Sequence, residues 1–218
     1  MAHKYREVTM TPAVLKAEEQ YYGRARAPQP VAENDALGPD EQAFIAERDS
    51  FYLGIITEGG WPYIQHRGGP KGFLKIIDDQ TIAFADFGGN KQYISTGNLT
   101  TDNRVALIMV DYPHQARLKI LGRTEILTGE PAREWIERHR DPADKSAIER
   151  VYVIRVEAFD WNCPQHITPR FTAEQVKEAL APLERRLEEL ELENKKLREV
   201  DQAPGRSRNL VAGNDGRA

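Results

Sequence analysis

The chain has 218 residues with 30 Lys and Arg against 34 Asp and Glu, for a net charge of −4, and is 40% hydrophobic and 8% aromatic. That suits one substantial domain with appendages, and the mildly acidic balance gives no field that would gather nucleic acid or an anionic membrane. One cysteine, Cys163, allows neither an intramolecular disulfide nor a multi-cysteine metal site; with no signal-peptide core in MAHKYREVTM and no apolar run of membrane-spanning length, a soluble cytoplasmic protein is expected.

Residues 1–35 read as an N-terminal arm, with a short helix over TPAVLKAEEQYYG and a linker-like RAPQPVAEND. Gly38-Pro39 opens a helix: proline suits its first turn, and Asp40 and Glu41 complement the N-terminal dipole. The period then changes. FYLGIIT (51–57), an EGGW turn and PYIQH (62–66) predict one hairpin, and FLKII, a DDQ turn and TIAFA (81–85) a second. KQYISTGNL reads as a helical turn, VALIMV (105–110) as an apolar strand, and RLKILGRTEIL (117–127) as a strand with a bulge or bend at Gly122. An amphipathic helix over 130–141 and a strand over 150–161 complete a domain of residues 36–170. Short strands so closely spaced predict a mainly β, α+β protein with a closed antiparallel barrel, and no G-x-G-x-x-G follows a strand to suggest a Rossmann unit.

Residues 171–200 carry the clearest pattern. Val176, Leu180, Leu183, Leu187, Leu190, Asn194 and Leu197 alternate spacings of four and three, the seam of a coiled coil. Asn194 falls at an a position, where asparagine favours a parallel two-stranded pairing. The alternative is an amphipathic helix packed on its own domain, although the stripe is narrower than such a helix needs. Residues 201–218 have the composition of a flexible tail.

The sequence contains no H-E-x-x-H, Walker loop or G-x-S-x-G elbow, and its five histidines are too scattered to suggest a metal site. Two stretches suit an anion. QHRGGPKGF (65–73) sets Arg67 and Lys71 beside three glycines, and DFGGNKQYISTGN (86–98) follows a Gly-Gly turn with Asn90 and Lys91, then Ser95, Thr96 and Asn98 at the start of a helical turn. Glycine admits close backbone approach, while cations and hydroxyls suit a phosphate ester. Taken alone, a glycine-rich hairpin with lysines is more often just a solvated turn.

Together with DNRVALIMVDYPHQARLKILGRTEIL and VEAFDWNCPQHITPRF, these segments resemble the pyridoxamine 5′-phosphate oxidase-related FMN-binding proteins over residues 40 to 170. The resemblance implies a six-stranded antiparallel split β-barrel with peripheral helices, forming a homodimer with FMN at the subunit interface. It also implies that Arg67, Lys75, Asn90, Lys91 and Gln92 contact the flavin or its phosphate, with Lys71 competing with Lys75 across a GGPKG insertion. Arg117 is implied at the pyrimidine edge of a flavin held by the partner subunit, where a cation stabilises the reduced ring. Trp161 and Gln165 are implied near the ring, with His166 a weak catalytic candidate; Trp161 also reads as a barrel-edge core residue, His166 as a structural hydrogen-bonder and Cys163 as a buried small residue. The oxidase proper holds pyridoxamine phosphate with an arginine-x-histidine pair, but PQHITPR offers only His166 and Arg170 in another order, so a different substrate is expected. The reaction class implied is hydride or electron transfer between NAD(P)H or a small organic molecule and an acceptor such as oxygen. The alternatives are a non-catalytic flavin or electron-transfer module, and a binder of another planar cofactor such as haem or a deazaflavin.

Overall fold

The computed structural model describes residues 3–89, 91–139, 147–161 and 163–201. Two compact units meet in sequence at Pro169 and Arg170. In the first, α1 (His3–Thr9), α2 (Pro12–Tyr22) and α3 (Pro39–Ala46) precede β1 (Ser50–Ile56), β2 (Pro62–Gly68), β3 (Lys75–Asp78) and β4 (Thr81–Phe87). There follow α4 (Ile94–Asn98), β5 (Arg104–Asp111), β6 (Ala116–Leu127), α5 (Gly129–His139) and β7 (Ile148–Trp161). The second unit is built on α6, Ala173–Asp201.

Strand alternation decides what lies inside. Phe51, Leu53 and Ile55 of β1, Val105, Leu107 and Met109 of β5, and Leu118 and Ile120 of β6 are buried in one cluster. β4 and β7 break the simple alternation because both their faces are covered. Ile82, Phe84, Tyr152, Ile154 and Val156 belong to the main cluster, while Ala83 and Val151 pack with Ala132 of α5 in a second one.

The strands form one antiparallel sheet in the order β2-β1-β5-β6-β7-β4-β3. It is a split barrel of the α+β class, with seven strands rather than the expected six; the four-residue β3 is an edge. The sheet curls until its ends meet: Phe51 of β1 meets Phe84 of β4 edge-on at 5.2 Å between ring centroids, and Arg67 of β2 pairs with Asp86 of β4. Part of that curl is set at Gly122. The β6–β7 register shifts between Leu121 and Gly122, and a Cβ added at Gly122 would lie 2.4 Å from the Arg155 carbonyl oxygen, so a side chain is excluded by the neighbouring backbone.

Residues 1–35, expected as an arm, contain α1 as well as the anticipated α2. Lys4 Nζ donates to the Val31 carbonyl at 2.9 Å and Glu7 accepts from the Val31 amide at 2.9 Å, tying α1 to the chain that follows. Asp35 joins β7 through its amide to the Glu157 carbonyl and through its carboxylate, which accepts from the Phe159 amide. α3 starts as its sequence predicts, with Pro39 in the first turn and Glu41 accepting from the Gly38 amide at 2.9 Å. The Trp161 indole N–H donates to Glu41 at 2.6 Å, and its ring meets Phe44 edge-on. No described helix is long and apolar enough to cross a membrane; of the expected tail over 201–218, Asp201 ends α6 and 202–218 lie outside the described residues.

Candidate functional site

β2, β4, α4 and the start of β7 converge on a cleft of about 200 Å³. On β2 the alternation sends Tyr63, Gln65 and Arg67 to the cleft, while Ile64, His66 and Gly68 are exposed. β4 ends with Asp86 and Phe87, and Asp86 lies opposite Arg150 in the antiparallel β4–β7 register. Lys91, Gln92 and Tyr93 lead into α4, which adds Ser95 and Thr96; Glu149 sits beside Arg150.

An ion network organises these groups. One Asp86 oxygen lies 2.5 Å from the Arg67 guanidinium and the other 3.4 Å from that of Arg150. Arg150 also pairs with Glu149 and donates to the Thr96 hydroxyl at 2.9 Å. That hydroxyl lies 2.8 Å from the hydroxyl of the fully buried Tyr152. Ser95 donates to the Gln65 side chain at 2.9 Å, so α4 is fastened to β2 on one side and β7 on the other. Arg67 stands over the Tyr152 and Phe84 rings at 5.3 and 5.7 Å, and Arg150 over Tyr93 at 4.7 Å, so aromatic faces support both cations. Three cations against two carboxylates leave one unit of positive charge on the described lining. Lys91 is exposed at the mouth and has no carboxylate partner among the described residues.

The backbone at the mouth is strained. Lys91 and Tyr93 take φ of 57° and 52°, the left-handed region, at about 1–2 kcal/mol for each such residue. Strain of this kind persists only where surrounding contacts impose it, and it concentrates at binding sites. The Arg67 Nε is buried with no partner among the described residues.

Of the sequence-derived candidates, Arg67, Lys91, Gln92, Ser95 and Thr96 line this cleft; Asn90 lies outside the described residues. Lys71, in the loop beyond β2, does not line it; its ammonium pairs with Glu47 at the end of α3. Lys75 is on β3 opposite Ala83 and does not reach it either. Arg117 is on β6, where it donates to the Cys163 carbonyl at 3.3 Å; its Nε is buried without a partner among the described residues. Trp161 is engaged with α3, and Gln165 and His166 form an exposed turn with His166 at φ 65°. Cys163 is exposed rather than buried. None of His66, His114 and His166 lines the cleft. Sequence reasoning missed Arg150, Asp86, Gln65 and Glu149. The available signal was a charge at the end of an otherwise apolar strand, in TIAFADF and in ERVYVI.

A second polar cluster closes the β5–β6 turn. Asp111 pairs with Arg48 at 2.8 Å and accepts from the His114 amide at 3.1 Å. Burial works to raise the Asp111 carboxyl, but the His114 and Arg48 hydrogen bonds outweigh it and hold the group below the usual carboxylate range.

A split barrel with a cationic cleft at its seam is the class that this fold and site define. Residues 37–162 match the family model described as pyridoxamine 5′-phosphate oxidase, more than half of the chain. The chain belongs to that family. No curated protein matches it in sequence. Among solved structures it is similar to HupZ from Group A Streptococcus, at 16% identity over 62% of this chain and 100% of that one, with a TM-score of 0.45. An FMN-binding protein from Syntrophomonas wolfei matches at 15% identity over 56% and 83%, with a TM-score of 0.44. A Clostridium acetobutylicum protein of the pyridoxinephosphate oxidase family, related to general stress protein 26, matches at 16% over 63% and 94%, also at 0.44. Resemblances this distant assign no function.

Proposed function

We propose that the chain is an FMN-dependent oxidoreductase of the cytoplasm that holds the cofactor's phosphate end in the β2–β4–α4–β7 cleft. The observation that carries this reading is the convergence of Arg67, Lys91 and Arg150 with the Ser95 and Thr96 hydroxyls in one cleft. Charged donors of this kind make the stronger hydrogen bonds to phosphate, and family membership makes FMN the phosphate ester to expect. Lys91 is the most available cation, being exposed and without a carboxylate partner among the described residues. Asp86 sits between Arg67 and Arg150 and pairs with both.

A cleft of about 200 Å³ is too small for a whole cofactor, since ligand pockets run to roughly 300–1,000 Å³. The ring system would therefore extend beyond it, and we take its second wall to be another copy of the chain in a homodimer. Arg117, with its buried Nε unpartnered among the described residues, is the cation that copy would bring to the ring. When bound, FMN supplies the hydride and electron transfer; the chain's residues bind and orient it. NAD(P)H or a small organic donor, and oxygen or another acceptor, would complete the reaction.

A second reading is a flavin-binding or electron-transfer module without turnover. It is favoured by one feature: both carboxylates of the described lining are in ion pairs, and that lining has no histidine or cysteine. Titration by fluorescence quenching tests the shared claim. Lys91→Ala should weaken FMN binding about tenfold or more, as expected for a hydrogen bond to a charged group worth about 1.5–3 kcal/mol. Equal affinity would remove the cleft from the account. NADH consumption by the loaded protein separates the enzyme from the module.

A further inference from the structure

α6 carries an apolar stripe that its own unit cannot bury. Val176, Leu180, Leu183, Leu187, Leu190 and Leu197 are 44–66% exposed, and no residue from 170 to 200 is buried. So much leucine in a unit without a core points to a partner. We propose that the partner is α6 of a second copy of this chain, parallel and in register.

Three features of the helix select that occupant. Leu180, Leu187 and Asn194 fall at a, and Val176, Leu183, Leu190 and Leu197 at d. In a parallel in-register pair Asn194 faces its own copy, and the two amides hydrogen-bond to each other. An antiparallel pair puts a against d, and a shift by one heptad puts Asn194 against Leu187; each buries an amide against leucine.

The flanks agree. In a parallel two-stranded coil each g residue meets the e residue five positions on in the other chain. Arg186 then meets Glu191, and Glu193 meets Arg198, with opposite charges in both contacts and in both directions. Sliding one helix forward by a heptad sets Arg186 against Arg198, and sliding it back sets Glu193 against Glu191. Within one chain Arg186 is 2.9 Å from Glu189, an exposed pair of the kind that contributes little and leaves the guanidinium available.

Pro182 lies inside the helix. It falls at c, facing away from the seam, and its missing N–H removes a ladder bond while leaving Leu183 to Leu197 continuous beyond it. A parallel coil has a twofold axis along its length, the symmetry an isologous dimer of the barrels requires. Pairing α6 would raise the effective concentration of the barrels for each other.

Disulfide trapping in the full chain tests this, with no dependence on FMN. The exposed Cys163 is first replaced by Ser, and Leu190→Cys is compared with Leu192→Cys, an exposed position at f outside the seam. Under mild oxidation Leu190→Cys should become a covalent dimer at least tenfold faster than Leu192→Cys, and Leu187→Cys should behave like Leu190→Cys. Equal rates at positions 190 and 192, or no dimer at either, would overturn the pairing. Linking only when Leu187→Cys and Leu190→Cys are combined would overturn its parallel direction. Arg186→Glu should slow the Leu190→Cys reaction several-fold at low salt, and adding Glu191→Arg should restore it; unchanged rates would overturn the register.

Discussion

Replacing Asp86 by Asn keeps the shape of the side chain and removes its charge. Asp86 is 8% exposed and lies 2.5 Å from Arg67 and 3.4 Å from Arg150. Arg150 retains Glu149, but no other carboxylate is paired with Arg67 among the described residues. The asparagine amide would also turn a donor toward a guanidinium that needs an acceptor. Breaking a buried ion pair from one side costs about 3–5 kcal/mol. The surviving Arg150–Glu149 pair and the rings beneath Arg67 place Asp86→Asn near the lower end, about 3 kcal/mol. In a domain of this size that is a fall in Tm of roughly 6–12 °C. Urea and thermal unfolding at pH 7, followed by circular dichroism at matched protein concentration, would measure it. Arg67→Met should lose less, because Asp86 then keeps Arg150, and the double variant should lose less than the sum of the two. A change within 1 kcal/mol for Asp86→Asn would refute the view that this carboxylate joins the two ends of the curled sheet.

The Asp111 cluster sets a pH dependence. The folded carboxyl lies below its ordinary range, so its stabilisation is present above the unfolded pKa of about 3.9 and is lost as pH falls through the folded value. Asp111→Asn should therefore be less stable than the parent at pH 7, by about 1–3 kcal/mol for the charged hydrogen bonds it loses, with the gap narrowing in urea titrations as pH falls through the folded value. Gly122→Ala should lose about 1–3 kcal/mol or more, because its Cβ would meet the Arg155 carbonyl oxygen at 2.4 Å and Ile154 at 2.9 Å; unfolding at unchanged stability would show that the bulge relaxes freely.

The strands were legible because one period decides both conformation and face. FYLGIIT became β1, VALIMV became β5, and RLKILGRTEIL became β6 with its register shift at Gly122. α3 and α6 were legible from a proline-acidic start and a heptad stripe, both local signals. α1 was not, because a seven-residue helix held to Val31 through Lys4 and Glu7 depends on tertiary contact rather than on propensity. The cleft divides the same way. Arg67, Lys91, Ser95 and Thr96 could be singled out beside glycine-rich turns. Arg150 could not, since it reaches them only through the pairing of β7 with β4, a contact between distant segments. Lys71 lies outside the cleft lining: composition places a cation in a loop without revealing which way that loop leads.

The visible absorption spectrum of the freshly purified full-length protein, with chromatography of what it releases on denaturation, tests the flavin assignment most directly. Flavin bands and released FMN, or bands acquired when FMN is added, are the expected result. A colourless protein that takes up no added FMN would contradict the account, leaving the split barrel intact and the cationic cleft without its proposed ligand.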